Sequence, residues 1–273
     1  MCPRLLEIGP FTIYSYGLML AIGFIVASYL LTIELKRKGL DPNLGNAITL
    51  IALVAGVAGS KFLYLLEHWD LFLADPLGMA FSPGGLTFYG GFLLAAYCIY
   101  LYVKKKKVRF LTAADSIAPG LLLAYGVARL GCHFAGDGDY GMPTTLPWGT
   151  DYSRGTYPPS LAFQNVPEIA SKFPGGVVPD NTLCHPTPVY EFILCAILFW
   201  VLWRFRKRIA PEGRMFMLYL VFAGLERFSI EFVRINPRVA LGLTEAQIIA
   251  IPLMIIGLAG WFALAKKSDK KAE

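Results

Sequence analysis

Charge is scarce in this sequence. Asp, Glu, Lys and Arg make up 16% of the 273 residues, against roughly a quarter in a soluble domain, so a water-soluble fold of this length would lack the polar residues to cover its surface. The chain shows no basic region ahead of its first apolar run, which argues against a cleavable signal peptide and leaves that first segment as a retained helix. It shows no internal repeat, which counts against a secondary transporter built from inverted halves. Cysteine carries little information. Cys98 and Cys195 fall in apolar stretches, where a small buried hydrophobe is expected. Cys2, Cys132 and Cys184 are expected on the oxidising side, where a bridge is open to them.

What the chain does have is apolar length. Hydrophobic residues reach 56%, and a helix needs about 20 apolar residues to span a bilayer. Seven segments qualify, near 14–35, 46–66, 86–103, 111–130, 189–203, 215–235 and 247–265. The expected fold is therefore all-α, a polytopic membrane protein of about seven transmembrane helices. Residues 1–265 form one helical domain, and a basic cytoplasmic tail occupies 266–273.

Basic residues follow every odd-numbered helix: Lys36, Arg37 and Lys38; Lys104 to Lys107 with Arg109; Arg204, Arg206, Lys207, Arg208 and Arg214; then Lys266, Lys267, Lys270 and Lys271. Because Lys and Arg of short loops stay cytoplasmic, the N-terminus is expected outside and the C-terminus inside. The formal net charge of +6 is then a record of topology. A nucleic-acid footprint would need those charges on one contiguous surface. The segment 132–188, between the fourth and fifth helices, is rich in Pro and Gly, and its length suggests a functional periplasmic cap.

Ionisable residues inside a span are costly, so their depth is informative. On this topology Tyr14, Tyr16, Lys61, Glu67, His68, Tyr89, Arg129, His185, Tyr190, Glu191, Arg227, Glu231, Arg234, Glu245 and Gln247 all fall toward the outer leaflet. Arg227, Glu231 and Arg234 are spaced to share one helix face. An internal ion-pair network joining Arg227 to Glu226 or Glu231 would explain that helix alone. A polar cavity opening to the outer leaflet explains the whole set better. Two arginines from different helices, Arg129 and Arg227, suit a phosphate, which the guanidinium fork clamps in bidentate fashion.

Six stretches then carry a resemblance: 14–19 (YSYGLM), 84–91 (GGLTFYGG), Arg129-Leu130-Gly131, 185–191 (HPTPVYE), 226–234 (ERFSIEFVR), and 243–252 (LTEAQIIAIP). In this order and topology the chain resembles the bacterial phosphatidylglycerol–prolipoprotein diacylglyceryl transferases. The resemblance implies an enzyme of the bacterial inner membrane with its site facing the periplasmic leaflet. It would move a diacylglyceryl group from phosphatidylglycerol to the lipobox cysteine of a prolipoprotein signal peptide, without cofactor or metal. Arg129 and Arg227 would hold the lipid phosphate and Tyr16 would line the head-group pocket. Glu191, Glu231 and Arg234 would support them, with His185 and Tyr190 at the start of the fifth helix. The partners implied are membrane lipid and the signal peptide, and no nucleic acid.

Three departures from the family pattern cluster at this site. Tyr89 stands where the family has a His favoured for proton handling, Cys132 replaces an Asn, and an Asp replaces a Glu with Asp137 and Asp139 both available. His133 and Asp139 are candidates to take over as base or orienter, beside the plain reading of a loop His and a turn Asp. A paralogue with another donor or acceptor, and a carrier of an anionic solute, are the alternatives. The inner helix halves offer little polar lining for a carrier beyond Asp115 and Ser116. Zinc on Cys132 with His133 and Cys184 with His185 would lack the spacing of a standard site.

Overall fold

The computed structural model describes residues 1–9, 11–82 and 84–269. In chain order they form β1 (Arg4–Ile8), β2 (Phe11–Tyr14), α1 (Ser15–Arg37), α2 (Asn43–Glu67), α3 (Trp69–Ala74), α4 (Pro76–Phe81), α5 (Phe88–Lys105) and α6 (Phe110–Ala135). There follow β3 (Thr150–Asp151), α7 (Pro159–Ala162), α8 (Pro167–Ala170), a 3₁₀ turn at Pro174–Gly176, β4 (Leu183–Cys184), α9 (Thr187–Phe205), α10 (Arg214–Ile230), β5 (Arg238–Ala240), β6 (Leu243–Thr244) and α11 (Glu245–Asp269).

Each apolar segment of the sequence contains a helix. Five of the helices, α1, α2, α6, α9 and α11, are long and apolar enough to cross a membrane. Many large apolar side chains on these helices point away from the protein, among them Ile25, Tyr29, Val54, Phe62, Trp200 and Phe262. In water such a surface would drive association; in a bilayer it is the ordinary lipid-facing surface.

Three details differ from the sequence reading. Among the described residues three two-stranded antiparallel sheets, β1–β2, β3–β4 and β5–β6, accompany the helices, because the connecting segments satisfy their backbone groups by pairing. Helix α10 ends at Ile230, short of residue 235. The chain there turns toward Asn236 and Pro237, and the Val233 carbonyl is taken by the amide of Met142 at 3.1 Å. Arg234 therefore lies beyond the helix rather than on its face. Finally, α11 continues to Asp269, so the first residues of the expected basic tail are helical; its remainder, 270–273, lies outside the described residues. The three cysteines considered for bridging are all free.

The chain divides into two compact units, one of residues 28–116 and one of 1–27 with 117–273. In the first, α2 packs along α5. A Cβ on Gly59 would strike the Gly90 carbonyl, and one on Gly90 would strike that of Gly59, so the two backbones meet at a seam only small residues allow. Lys61 donates to the carbonyls of Ser82 at 2.9 Å and Gly84 at 2.8 Å, which ties the end of α2 to the segment before α5.

In the second unit α10 packs against α9 and α11. An apolar core of Ala118, Leu122, Cys195, Leu198, Leu202 and Met215 joins α6, α9 and α10. The long segment between α6 and α9 has a core of its own, built from Tyr140, Tyr152, Phe163, Val178 and Cys184. Tyr140 and Tyr152 stack at 4.1 Å between centroids, and burying aromatics on this scale contributes about 1.5–3 kcal/mol each. The segment is therefore expected to resist limited proteolysis in the intact protein. Rapid cleavage throughout 136–186 with activity retained would contradict a folded cap.

Candidate active site

The ion pairs of the second unit's arginines gather at one end of its helices: the C-terminal ends of α6 and α10 and the N-terminal end of α9. Glu191 sits in the second turn of α9 with its side chain fully buried. Pro186 and Pro188 flank the start of that helix, where a missing amide is harmless. The positive end of the helix dipole favours a carboxylate there.

Glu191 is the hub. It accepts a short bond from Arg129 Nε, and bonds from Arg227 Nη1 at 3.3 Å and Arg234 Nη1 at 3.4 Å. Tyr125 adds its hydroxyl at 3.4 Å. Arg129 Nη1 also reaches Asp139 at 2.5 Å, and Arg234 Nη2 bonds the other oxygen of the same carboxylate. Arg227 Nη2 lies 3.1 Å from Glu231, and Glu231 accepts in turn from the Asn236 amide. Three guanidiniums and three carboxylates thus close a charge-balanced cluster, the arrangement in which buried ions can persist.

Asp139 reaches this cluster because its loop is pinned on both sides. Thr187 Oγ1 donates to the Asp139 carbonyl at 2.7 Å, and the Gly141 amide donates to the His185 carbonyl at 2.8 Å. Gly141 also bridges to Arg234. A Cβ on Gly141 would lie 2.7 Å from Thr187 Cγ2, so the loop could not thread between these segments with a larger residue. Burial pushes the Asp139 carboxyl up, but Arg129 and Arg234 overrule it and hold it at about 2. With the folded value depressed, the stability that Asp139 contributes is present above its unfolded pKa near 4 and is lost as pH falls toward 2.

Two donors stand out within this closed network. Arg129 Nη2 is buried and has no hydrogen-bond partner. Arg227 is the most exposed of the three arginines, at 28% of its side chain against 11% for Arg129 and 7% for Arg234. Both are donors an anion could take up, and a buried donor left unpaired is costly until something does.

The remaining site residues of the sequence reading occupy other surroundings. Tyr16, at the start of α1, lies against α6: a Cβ on Gly131 would come within 3.1 Å of the Tyr16 Cα. His133 bonds the Tyr152 hydroxyl at 2.9 Å, so its ring faces the cap core. His185 meets Tyr190 Oη at 3.2 Å, and Trp148 donates to that hydroxyl at 2.8 Å. Burial lowers the His185 pKa below its usual value, which leaves it neutral at pH 7. Tyr89 belongs to the other unit, in the first turn of α5, and is exposed.

Tyr125 and Asn236 are contributors that sequence reasoning missed. Tyr125 lies four residues before Arg129 on α6, and that spacing is the signal that could have found it. Cys132 Sγ, Asp137 and Asp139 lie within 4.8 Å of one another. Arg129 donates to that sulfur at 3.2 Å and two guanidiniums grip Asp139, so this group faces positive charge that repels a cation.

A helical protein with five helices long and apolar enough to cross a membrane and outward-facing apolar side chains belongs to the class of multi-pass integral membrane proteins. The chain belongs to the prolipoprotein diacylglyceryl transferase family, whose model matches residues 3–263. It is 32% identical over 260 residues to the phosphatidylglycerol–prolipoprotein diacylglyceryl transferase of Clostridium tetani, covering 94% of this chain and 96% of that one. The similarly named proteins of Corynebacterium diphtheriae and Dehalococcoides mccartyi are 30% and 28% identical, covering 95% and 99% of this chain and 91% and 96% of theirs.

Proposed function

We propose that this chain transfers the diacylglyceryl group of phosphatidylglycerol to the lipobox cysteine thiol of a prolipoprotein. The observation that carries the reading is the arginine cluster, with Arg129 Nη2 unpaired and Arg227 part-exposed beside it. These two arginines take the phosphate of the donor lipid. Glu191, Glu231, Asp139 and Arg234 hold their guanidinium planes in position, and Tyr16 lines the head-group side from α1. Seven helices cross the bacterial inner membrane with the N-terminus outside. Arg204, Arg206 and Arg214, at the helix ends opposite the cluster, support that orientation, which turns the cluster and the 132–188 cap to the periplasmic side.

In the reaction the thiolate sulfur attacks the glyceryl carbon that bears the phosphate. The C–S bond forms as the C–O bond breaks, and the electron pair leaves on the phosphate oxygen of glycerol phosphate. Arg129 and Arg227 stabilise that departing charge. The thiol proton passes to water or to a base of the same unit drawn from His133, Asp139 and His185. Asp139, held ionised by two arginines, is a weak base and serves to position Arg129 and Arg234. A free thiol has a pKa near 8.5, so a few per cent is ionised at neutral pH without assistance.

The direct test incubates the purified protein with labelled phosphatidylglycerol and a lipobox peptide. Mass spectrometry should find one diacylglyceryl group on the peptide thiol and free glycerol phosphate beside it; an unmodified peptide under binding conditions would overturn the reading. The pH profile is expected to rise toward about pH 8 as the thiol ionises, with the same form in Tyr89→Phe and only a modest loss of rate. Complete loss of turnover in Tyr89→Phe with lipid binding intact would make Tyr89 indispensable and this account of the proton wrong.

A further inference from the structure

A cavity of about 650 Å³ opens beside the ion cluster within the unit of residues 1–27 and 117–273. Glu231 and Arg234 belong to both, so cavity and cluster share a wall. One side is formed by the cap around α8, with Asn165, Val166 and Lys172, and the other by the segment after α10, with Phe232, Asn236 and Arg238.

We propose that this cavity seats the acceptor, holding the extended apolar stretch of peptide that precedes its cysteine; the inference rests on the transferase reading above. Three observations carry it. The volume lies in the range of pockets that enclose a sizeable ligand, about 300–1,000 Å³, which is generous for glycerol phosphate. The walls mix apolar side chains, among them Val166, Ile169, Phe232 and Ile235, with the Asn165 amide and charged groups such as Lys172 and Arg238, so apolar side chains and backbone groups of an extended peptide both find partners. The strand β5, whose Arg238 lines the cavity, is one of only two in its sheet and exposed along its length, so it offers an edge for strand addition.

The cluster then has two approaches. Donor phosphate meets the part-exposed Arg227, and acceptor thiol arrives past Arg234 and Glu231. Two substrates that must converge on one carbon without displacing each other require such an arrangement.

The test uses the full-length protein in detergent and a lipobox peptide with serine in place of cysteine, carrying a benzophenone beside that serine. Photo-cross-linking is expected to label residues 162–172 or 231–238, and the label should fall in Asn165→Trp, a substitution at an exposed position that fills the cavity. With the reactive cysteine peptide, Asn165→Trp should raise the peptide KM about tenfold or more, the scale of a lost pocket contact, and leave the phosphatidylglycerol KM unchanged. Labelling elsewhere, or an unchanged peptide KM, overturns the proposal. Weaker inhibition by added glycerol phosphate with peptide KM unchanged would assign the cavity to the leaving group and also overturn it. The two readings fail separately: cavity labelling without transfer in the wild type would sink the transferase reading and leave the peptide site standing. Normal transfer unaffected by Asn165→Trp would do the reverse.

Discussion

Replacing Glu191 by Ala is expected to cost about 3–5 kcal/mol of stability, the range for removing one partner of a buried ion pair. The reason is its position as hub. Its carboxylate is fully buried and accepts from Arg129, Arg227 and Arg234 together. Without it three guanidiniums converge on an uncompensated space, and Tyr125 loses its acceptor as well. Asp139→Asn should be milder, because the Asp139 side chain is 36% exposed and water can replace part of what is lost. Thermal unfolding of the purified variants in detergent compares them. If Glu191→Ala changed stability by under about 1 kcal/mol, within the ordinary effect of a single substitution, the cluster would not be holding these helices together.

The second large effect is on turnover. Arg129→Lys and Arg227→Lys should each lower kcat/KM by about 10²–10³, the loss found when a donor to developing negative charge is removed. Lys keeps the charge but presents a single ammonium. Arg129 uses Nε on Glu191 and Nη1 on Asp139 and still has Nη2 to offer; an ammonium cannot reach all three from one stem. Arg227→Lys should act chiefly through a higher KM for lipid, since Arg227 is the more exposed of the two. Normal turnover and lipid affinity in both variants would leave the cluster a purely structural lock.

Much of this architecture is legible in the sequence, for a definite physical reason. A bilayer demands long apolar runs and punishes ions within them, so both the helices and the residues Arg129, Glu191, Arg227 and Glu231 stand out against their surroundings. What the periodicity of α10 could not show is where the helix stops. That is decided by backbone pairing of Val233 and Arg234 with the 141–142 segment, a contact between residues almost a hundred positions apart. The choice between Asp137 and Asp139 has the same origin. Either carboxylate could approach Arg129 from sequence alone, and the bond from Thr187 that fixes the loop comes from another helix. Cap residues such as Tyr152 and Trp148 escaped notice because aromatics in a Pro- and Gly-rich segment carry no spacing that distinguishes a core from a surface.

The balance of the six-membered cluster bears on what the protein ignores. Most of its guanidinium donors are already engaged by carboxylates, and the unpaired Arg129 Nη2 is buried, so a free anion gains few donors without loosening an ion pair. On the proposed function a soluble phosphate or sulfate, which brings nothing else to the exchange, is expected to bind weakly. A phospholipid also brings acyl chains that would stay in the bilayer against the helix faces, so its anchoring would add to what charge alone supplies. On that reading the largely engaged cluster would favour membrane-tethered anions over free ones, with no residue dedicated to rejecting the latter.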